Sequence, residues 1–119
     1  MKLVAYLGKD IETYGQISAL INRMDEAEQF LILKDKAAEN PFTNPKCKII
    51  EVDSSKDLLS FKTEMQEKLK PHLKEDFEVA LSLASGNGKE HMALISALLT
   101  IPVGIKLTAF TKKGVEFIS

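Results

Sequence analysis

Residues 79–95 read Val-Ala-Leu-Ser-Leu-Ala-Ser-Gly-Asn-Gly-Lys-Glu-His-Met-Ala-Leu-Ile, and this stretch decides the fold. An apolar run with the character of a buried strand stops at Ser85-Gly86-Asn87-Gly88-Lys89, and a strongly apolar helix begins at once. Gly86 and Gly88 lack a Cβ, so the backbone there can turn sharply and come close to a ligand. The first turn of the helix presents unpaired N–H groups and the positive end of its dipole. Lys89 adds a cation at the same place. The segment is a candidate seat for a phosphate or another anion at the carboxyl end of a strand. Its glycines and Asn87 equally suit an ordinary strand-to-helix connection.

The rest of the chain repeats the alternation of strand and helix. Leu3 to Leu7 is a short apolar run closed by Gly8-Lys9-Asp10, a strand entering a loop. Thr13 to Met24 carries Ile17, Leu20, Ile21 and Met24 at helical spacing, with Asp10 or Thr13 to cap it. Phe30 to Leu33 predicts a second strand, and Lys34 to Lys46, with Asn40-Pro41 and Asn44-Pro45, a polar loop. Cys47 to Val52 is a third strand. Asp53-Ser54-Ser55 offers caps for a helix over 56–73, whose Leu58, Phe61, Met65, Leu69 and Leu73 make one apolar stripe.

After the fourth strand (77–84) and the apolar helix through Leu99, Ile105 to Phe110 reads as a fifth strand. Thr111-Lys112-Lys113-Gly114 reads as a hairpin turn and Val115 to Ile118 as a short sixth strand. The fold class expected is therefore α/β: a Rossmann-like three-layer sandwich with a mainly parallel sheet of about six strands and a C-terminal antiparallel hairpin. In such sheets ligands gather beyond the carboxyl ends of the strands, which places Gly8, Lys9 and Asp10 on the same rim as Ser85 to Lys89.

The bulk properties narrow the classes of function. A chain of 119 residues, 45% hydrophobic and 28% charged, is sized for one domain, 1–119, with its own core. A net charge of −1 gives no basic excess, so direct DNA binding is not expected. The lone Cys47 forms no internal disulfide and reads as a buried, inert thiol; no Cys/His cluster has metal-ligand spacing, so neither a metal nor a cofactor is expected. The N-terminus is too short and too soon charged for a signal peptide, and no stretch reaches membrane-span length. By elimination, a cytoplasmic protein without a membrane partner is expected.

Several familiar motifs fail at single residues. Gly88-Lys89 resembles the end of a nucleotide-binding P-loop, but Glu90 stands where Ser or Thr must hold magnesium, and Leu83 where the leading glycine belongs. The dinucleotide fingerprint belongs on a first strand, and its third glycine is replaced here by His91. Ser85 and His91 lie together without an acid partner at any telling spacing. His91, in the first helical turn, is either a structural histidine bonded to backbone or a ligand contact. Tyr14 is placed either to stack on a nucleobase or to pack.

With these elements in order, the chain resembles the CARF domain, the CRISPR-associated Rossmann fold. The likeness rests on the loop after the first strand, the Gly-rich Ser85-to-Lys89 loop before an apolar helix, and the closing hairpin, Ala109 to Phe117. The family's loops often read Gly-Gly-Thr-Lys, then one residue and Met. This chain has Gly-Asn-Gly-Lys followed by Glu90-His91-Met92, without the threonine and with one residue more.

The resemblance implies a homodimer that binds a cyclic oligoadenylate in a cleft across its two-fold axis, in CRISPR-associated antiviral signalling. The implied ligand contacts are Gly8, Lys9, Asp10, Ser85, Gly86, Asn87, Gly88, Lys89 and His91. Some stand-alone relatives cleave the ring without metal, and for such a ring nuclease Lys89 is the catalytic candidate, holding the phosphate as charge develops on it. A non-catalytic dimerisation module without a nucleotide ligand is the remaining alternative; the nearly all-round apolar last helix suggests cover by a second copy.

Overall fold

The computed structural model describes all residues, Met1–Ser119. The chain runs β1 (Lys2–Leu7), α1 (Tyr14–Arg23), β2 (Phe30–Asp35), β3 (Cys47–Val52), α2 (Leu58–Leu69), β4 (Glu78–Ser82), α3 (Gly88–Thr100), β5 (Gly104–Thr111) and β6 (Gly114–Phe117). Short 3-10 turns precede α1 (Ile11–Thr13) and follow α2 (Lys70–His72). The six strands form one sheet in the order β3-β2-β1-β4-β5-β6. Neighbours from β3 through β5 pair in parallel, and β6 pairs antiparallel with β5. This is the α/β sandwich that the strand–helix alternation predicts.

The central strands read as unbroken apolar runs because both faces are covered. On one face Val4, Tyr6, Leu31, Leu33, Val79 and Leu81 pack against Phe61, Met65 and Leu69 of α2 and Ala93, Leu94, Ala97 and Leu98 of α3. Alternate residues Leu3, Ala5, Leu7, Phe30, Ile32 and Ala80 point the other way, onto Ile17, Leu20 and Ile21 of α1. Burying Phe61, Met65 or Leu69 fully stabilises the fold by about 1.5–3 kcal/mol each.

Several boundaries differ from expectation. β2 runs on to Asp35, because Lys34 lies opposite Glu51 of β3 and its ammonium pairs with that carboxylate at 2.9 Å. Lys34 is only 3% exposed, and the carbonyls of Asp35 and Ala38 take its other protons. α2 is capped by the Asp57 carboxylate, which accepts from Ser60 N–H at 2.9 Å; Asp53, Ser54 and Ser55 do not cap it. It ends at Leu69 because Pro71 has no N–H to continue the ladder, and the chain tightens into the 3-10 turn. β4 stops at Ser82, short of Ala84.

No helix joins β2 to β3. Asn40 and Asn44 instead turn the connection by accepting from the N–H groups of Phe42 and Lys46. Phe42 then packs with Cys47 and Ile49 against the α1-side core. Cys47 is half-buried, and burial pushes its thiol pKa up. No helix is long and apolar enough to cross a membrane.

Chain direction across the sheet reverses at β1. The route through α1 leads to β2 on one side, and α2 carries the chain back to β4 on the other. Beyond the carboxyl ends of β1 and β4 a crevice opens at the switch point.

Candidate functional site

The loops after β1 and β4 meet in this crevice through their backbones. A Cβ on Gly8 would stand 2.7 Å from both the Cα and the amide nitrogen of Gly86, so only glycine fits there. Gly8 N–H donates to Ser85 Oγ at 2.9 Å, and Ser85 Oγ lies 2.7 Å from Thr13 Oγ1, itself 2.6 Å from the Asp10 carbonyl. With one proton per hydroxyl, the consistent assignment is Ser85 donating to Thr13 and Thr13 to the Asp10 carbonyl. Tyr14 O–H closes the ring on the Gly8 carbonyl at 2.8 Å. His91 Nε2 lies 2.7 Å from the Ser85 carbonyl oxygen, so the protonated ring nitrogen is Nε2.

Several expected contacts are therefore scaffold. Ser85 is 1% exposed with its hydroxyl fully engaged, and it holds the two loops together where a ligand contact was expected. His91 is the structural histidine bonded to backbone. Tyr14 is half-buried against the α1-side core. Asp10 caps the 3-10 turn, its carboxylate accepting from Glu12 N–H at 3.0 Å. Gly86 has φ +100°, a conformation that glycine adopts without strain.

The head of α3 is closed by a capping box. Asn87 Oδ1 accepts from Glu90 N–H at 2.9 Å, and Glu90 Oε1 accepts from Asn87 N–H at 2.8 Å. The Asn87 side-chain oxygen is thus committed as a cap. Gly88 and Lys89 occupy the first two helical positions, where an N–H has no intrahelical partner. The Glu90 carboxylate, 6% exposed, is an anion already placed at the positive end of the helix.

Lys89 departs most from expectation. Its ammonium donates to the carbonyls of Ser54 at 3.0 Å and Lys56 at 2.5 Å, and lies 5.6 Å from the centre of the Phe61 ring. It ties the β3–α2 loop to the start of α3, and its charge is aimed away from the Gly-rich turn. The loop carbonyls are strong acceptors at just the reach of the extended side chain.

Lys9 is the cation that the crevice keeps. It is exposed and enters none of the ion pairs of the fold. It borders three adjoining clefts. One of 230 Å³ runs along Asp10, Thr13, Gly86, Asn87 and Glu90. One of 240 Å³ reaches back to Tyr6, Asp35 and Glu90, and one of 450 Å³ extends over Tyr14 and Asn40-Pro41.

Two carboxylates and a phenol line the inner cleft, and sequence reasoning assigned none of them to the site. Asp35 accepts from Ser54 Oγ at 2.7 Å, Ser54 N–H at 2.9 Å and Ala37 N–H at 3.0 Å, and these bonds hold its pKa down to about 2. Tyr6 is 1% exposed, its ring edge-on to Phe61, and its hydroxyl has no hydrogen-bond partner. Burial first, then the charge of Glu90, pushes the phenol pKa well above its ordinary value, so the hydroxyl keeps its proton. Glu90 and Ser54 both lie close enough to the hydroxyl to perturb it, Glu90 raising and Ser54 lowering its pKa, yet neither meets the full geometry of a hydrogen bond. The pattern Asn87-x-x-Glu90 was the available signal for the capping box. No group of three or more His, Cys, Asp or Glu side chains is placed to hold a metal ion. The chain matches no protein-family model, no curated protein and no solved structure.

Proposed function

We propose that the protein is a nucleotide-sensing module, a CARF-like homodimer that binds a cyclic oligoadenylate at its switch-point crevice in CRISPR-associated antiviral signalling. One observation carries the reading: the unpaired Lys9 ammonium borders three adjoining clefts, one of which runs along Gly86, Asn87 and Glu90 at the head of α3. A cation and helix-end amides are complementary to phosphoryl oxygens, and the larger cleft beside Tyr14 and Pro41 has room for a base.

Binding is favoured over ring cleavage. The side chain expected to stabilise charge on the phosphate, Lys89, is committed to the Ser54 and Lys56 carbonyls. Pairing of two copies is supported by α3. Met92 and Leu99 are 61% and 71% exposed and share a face with half-buried Ile95, beside a groove lined by Leu83, Leu107, Ala109 and Ile118.

The test is calorimetric titration with cyclic tetra- and hexa-adenylate, alongside the molar mass in solution. Saturable binding of one ring per two chains supports the reading, and loss of the dimer in Leu99→Glu locates the interface. Absence of heat with either ring, at protein concentrations where a dimer is present, overturns the nucleotide reading and leaves the assembly module.

A further inference from the structure

A buried donor without an acceptor stands beside a carboxylate that already fills the anion seat. The Tyr6 hydroxyl has no partner, whereas Glu90 Oε1 accepts from Asn87 N–H at the head of α3. Both side chains form walls of the same inner cleft. Gly86 adjoins both: a Cβ there would stand 3.2 Å from Glu90 Oε1 and 3.3 Å from Tyr6 Cδ1, so a side chain at this position would crowd the two groups. Buried hydroxyls in folded proteins are nearly always bonded, and an unpaired one facing a carboxylate calls for a second state in which it is used.

We infer that Glu90 is a placeholder for the ligand's anionic group, and that an arriving phosphoryl group displaces its carboxylate from Asn87 N–H onto the Tyr6 hydroxyl. The inference rests on the nucleotide-binding reading above and supplies its regulation. Two anions cannot share the same amides in a partly buried site, because their repulsion there is weakly screened. Once the carboxylate swings away, Asn87 N–H joins those of Gly88 and Lys89 in facing the phosphoryl oxygens, with Lys9 opposite. The Glu90 N–H stays on Asn87 Oδ1, so the helix remains capped on that side. The displaced carboxylate is not stranded: it accepts a charge-assisted bond from Tyr6, which keeps its proton throughout. The free protein thus holds its seat shut against weak anions and opens it to a phosphoryl group that fills all three amides.

The test uses the intact protein and inorganic pyrophosphate, followed through the backbone amide signals of Gly88 and Lys89. Glu90→Ala vacates the seat and is expected to bind pyrophosphate roughly tenfold tighter than the parent protein. Glu90→Gln, which retains a capping acceptor, is expected to move the same way. Tyr6→Phe is expected to weaken binding several-fold in the parent background and to have no effect in the Glu90→Ala background. Equal affinity in parent and both Glu90 variants overturns the inference, as does an equal Tyr6→Phe effect with and without Glu90, or no response in any variant. If pyrophosphate follows the expected order while cyclic adenylates do not bind, the placeholder stands and the nucleotide reading falls. If the rings bind the parent and the Glu90 variants bind them no tighter, the reverse holds.

Discussion

Gly8 and Gly86 meet backbone to backbone, so closely that a single Cβ on Gly8 would stand 2.7 Å from two main-chain atoms of its partner. This contact joins β1 to β4 at the switch point, and no flexible side chain is there to yield. Gly8→Ala is therefore expected to destabilise the fold by about 1–3 kcal/mol, since the backbone itself must shift. Gly88→Ala is the control. Nothing lies within 4 Å of a Cβ there, and the residue is the first of α3, so a gain of about 0.4–1 kcal/mol is expected. Urea denaturation of both variants checks the pair; equal effects would contradict the close approach.

Two lysines that look alike in sequence separate by what they touch. Lys89→Met leaves an apolar stem over Phe61 and removes the bonds to Ser54 and Lys56. It is expected to cost about 1 kcal/mol of stability and to change ring affinity little. Lys9→Ala is expected to leave stability unchanged and to weaken ring binding roughly tenfold. Thermal melts and titrations of the two variants decide; a reversed pattern would restore Lys89 as the phosphate contact.

Tyr6→Phe removes a hydroxyl that is buried without a partner, while its ring stays edge-on to Phe61. An unmatched buried donor is a standing cost, so the variant is expected to be more stable than the parent by about 1 kcal/mol. A loss of similar size in equilibrium unfolding would mean that the hydroxyl is bonded in the free protein.

Asp35 predicts a pH dependence. The bonds from Ser54 and Ala37 favour its charged form and lower its pKa from 3.8 to about 2. A depressed folded-state pKa contributes stability that is full above the unfolded value and is lost as pH falls through the folded one. The stability difference between the parent and Asp35→Asn is thus expected to hold above about pH 4 and to shrink steadily as pH falls toward 2. Unfolding of both proteins at stepped pH measures it; a difference independent of pH would show that Asp35 is not held as the anion.

The fold was largely legible because hydrophobic pattern and turn residues agree along the chain. Phe30-Leu31-Ile32-Leu33 and Val79-Ala80-Leu81 are apolar throughout because both faces of those strands are covered, and the pattern shows it directly. What stayed hidden depends on partners distant in sequence. Lys34 reads as the start of a loop until Glu51 is known to lie opposite. Lys89 reads as a phosphate ligand until the carbonyls of Ser54 and Lys56, more than thirty residues away, arrive within its reach. Glu90 reads as a failed P-loop position, although Asn87-x-x-Glu90 announces a cap. The loops at Gly8 and Gly86 were placed on one rim by topology alone, and there the structure agrees.

Chemical-shift mapping of the backbone amides during titration with cyclic tetra- and hexa-adenylate bears most directly on the binding of a nucleotide at the crevice. The largest changes are predicted at Lys9 and at Gly86 through Glu90, with Gly88 and Lys89 shifting as their N–H groups meet phosphoryl oxygens. Changes confined to other surfaces, or none with either ring at saturating concentration, would contradict it.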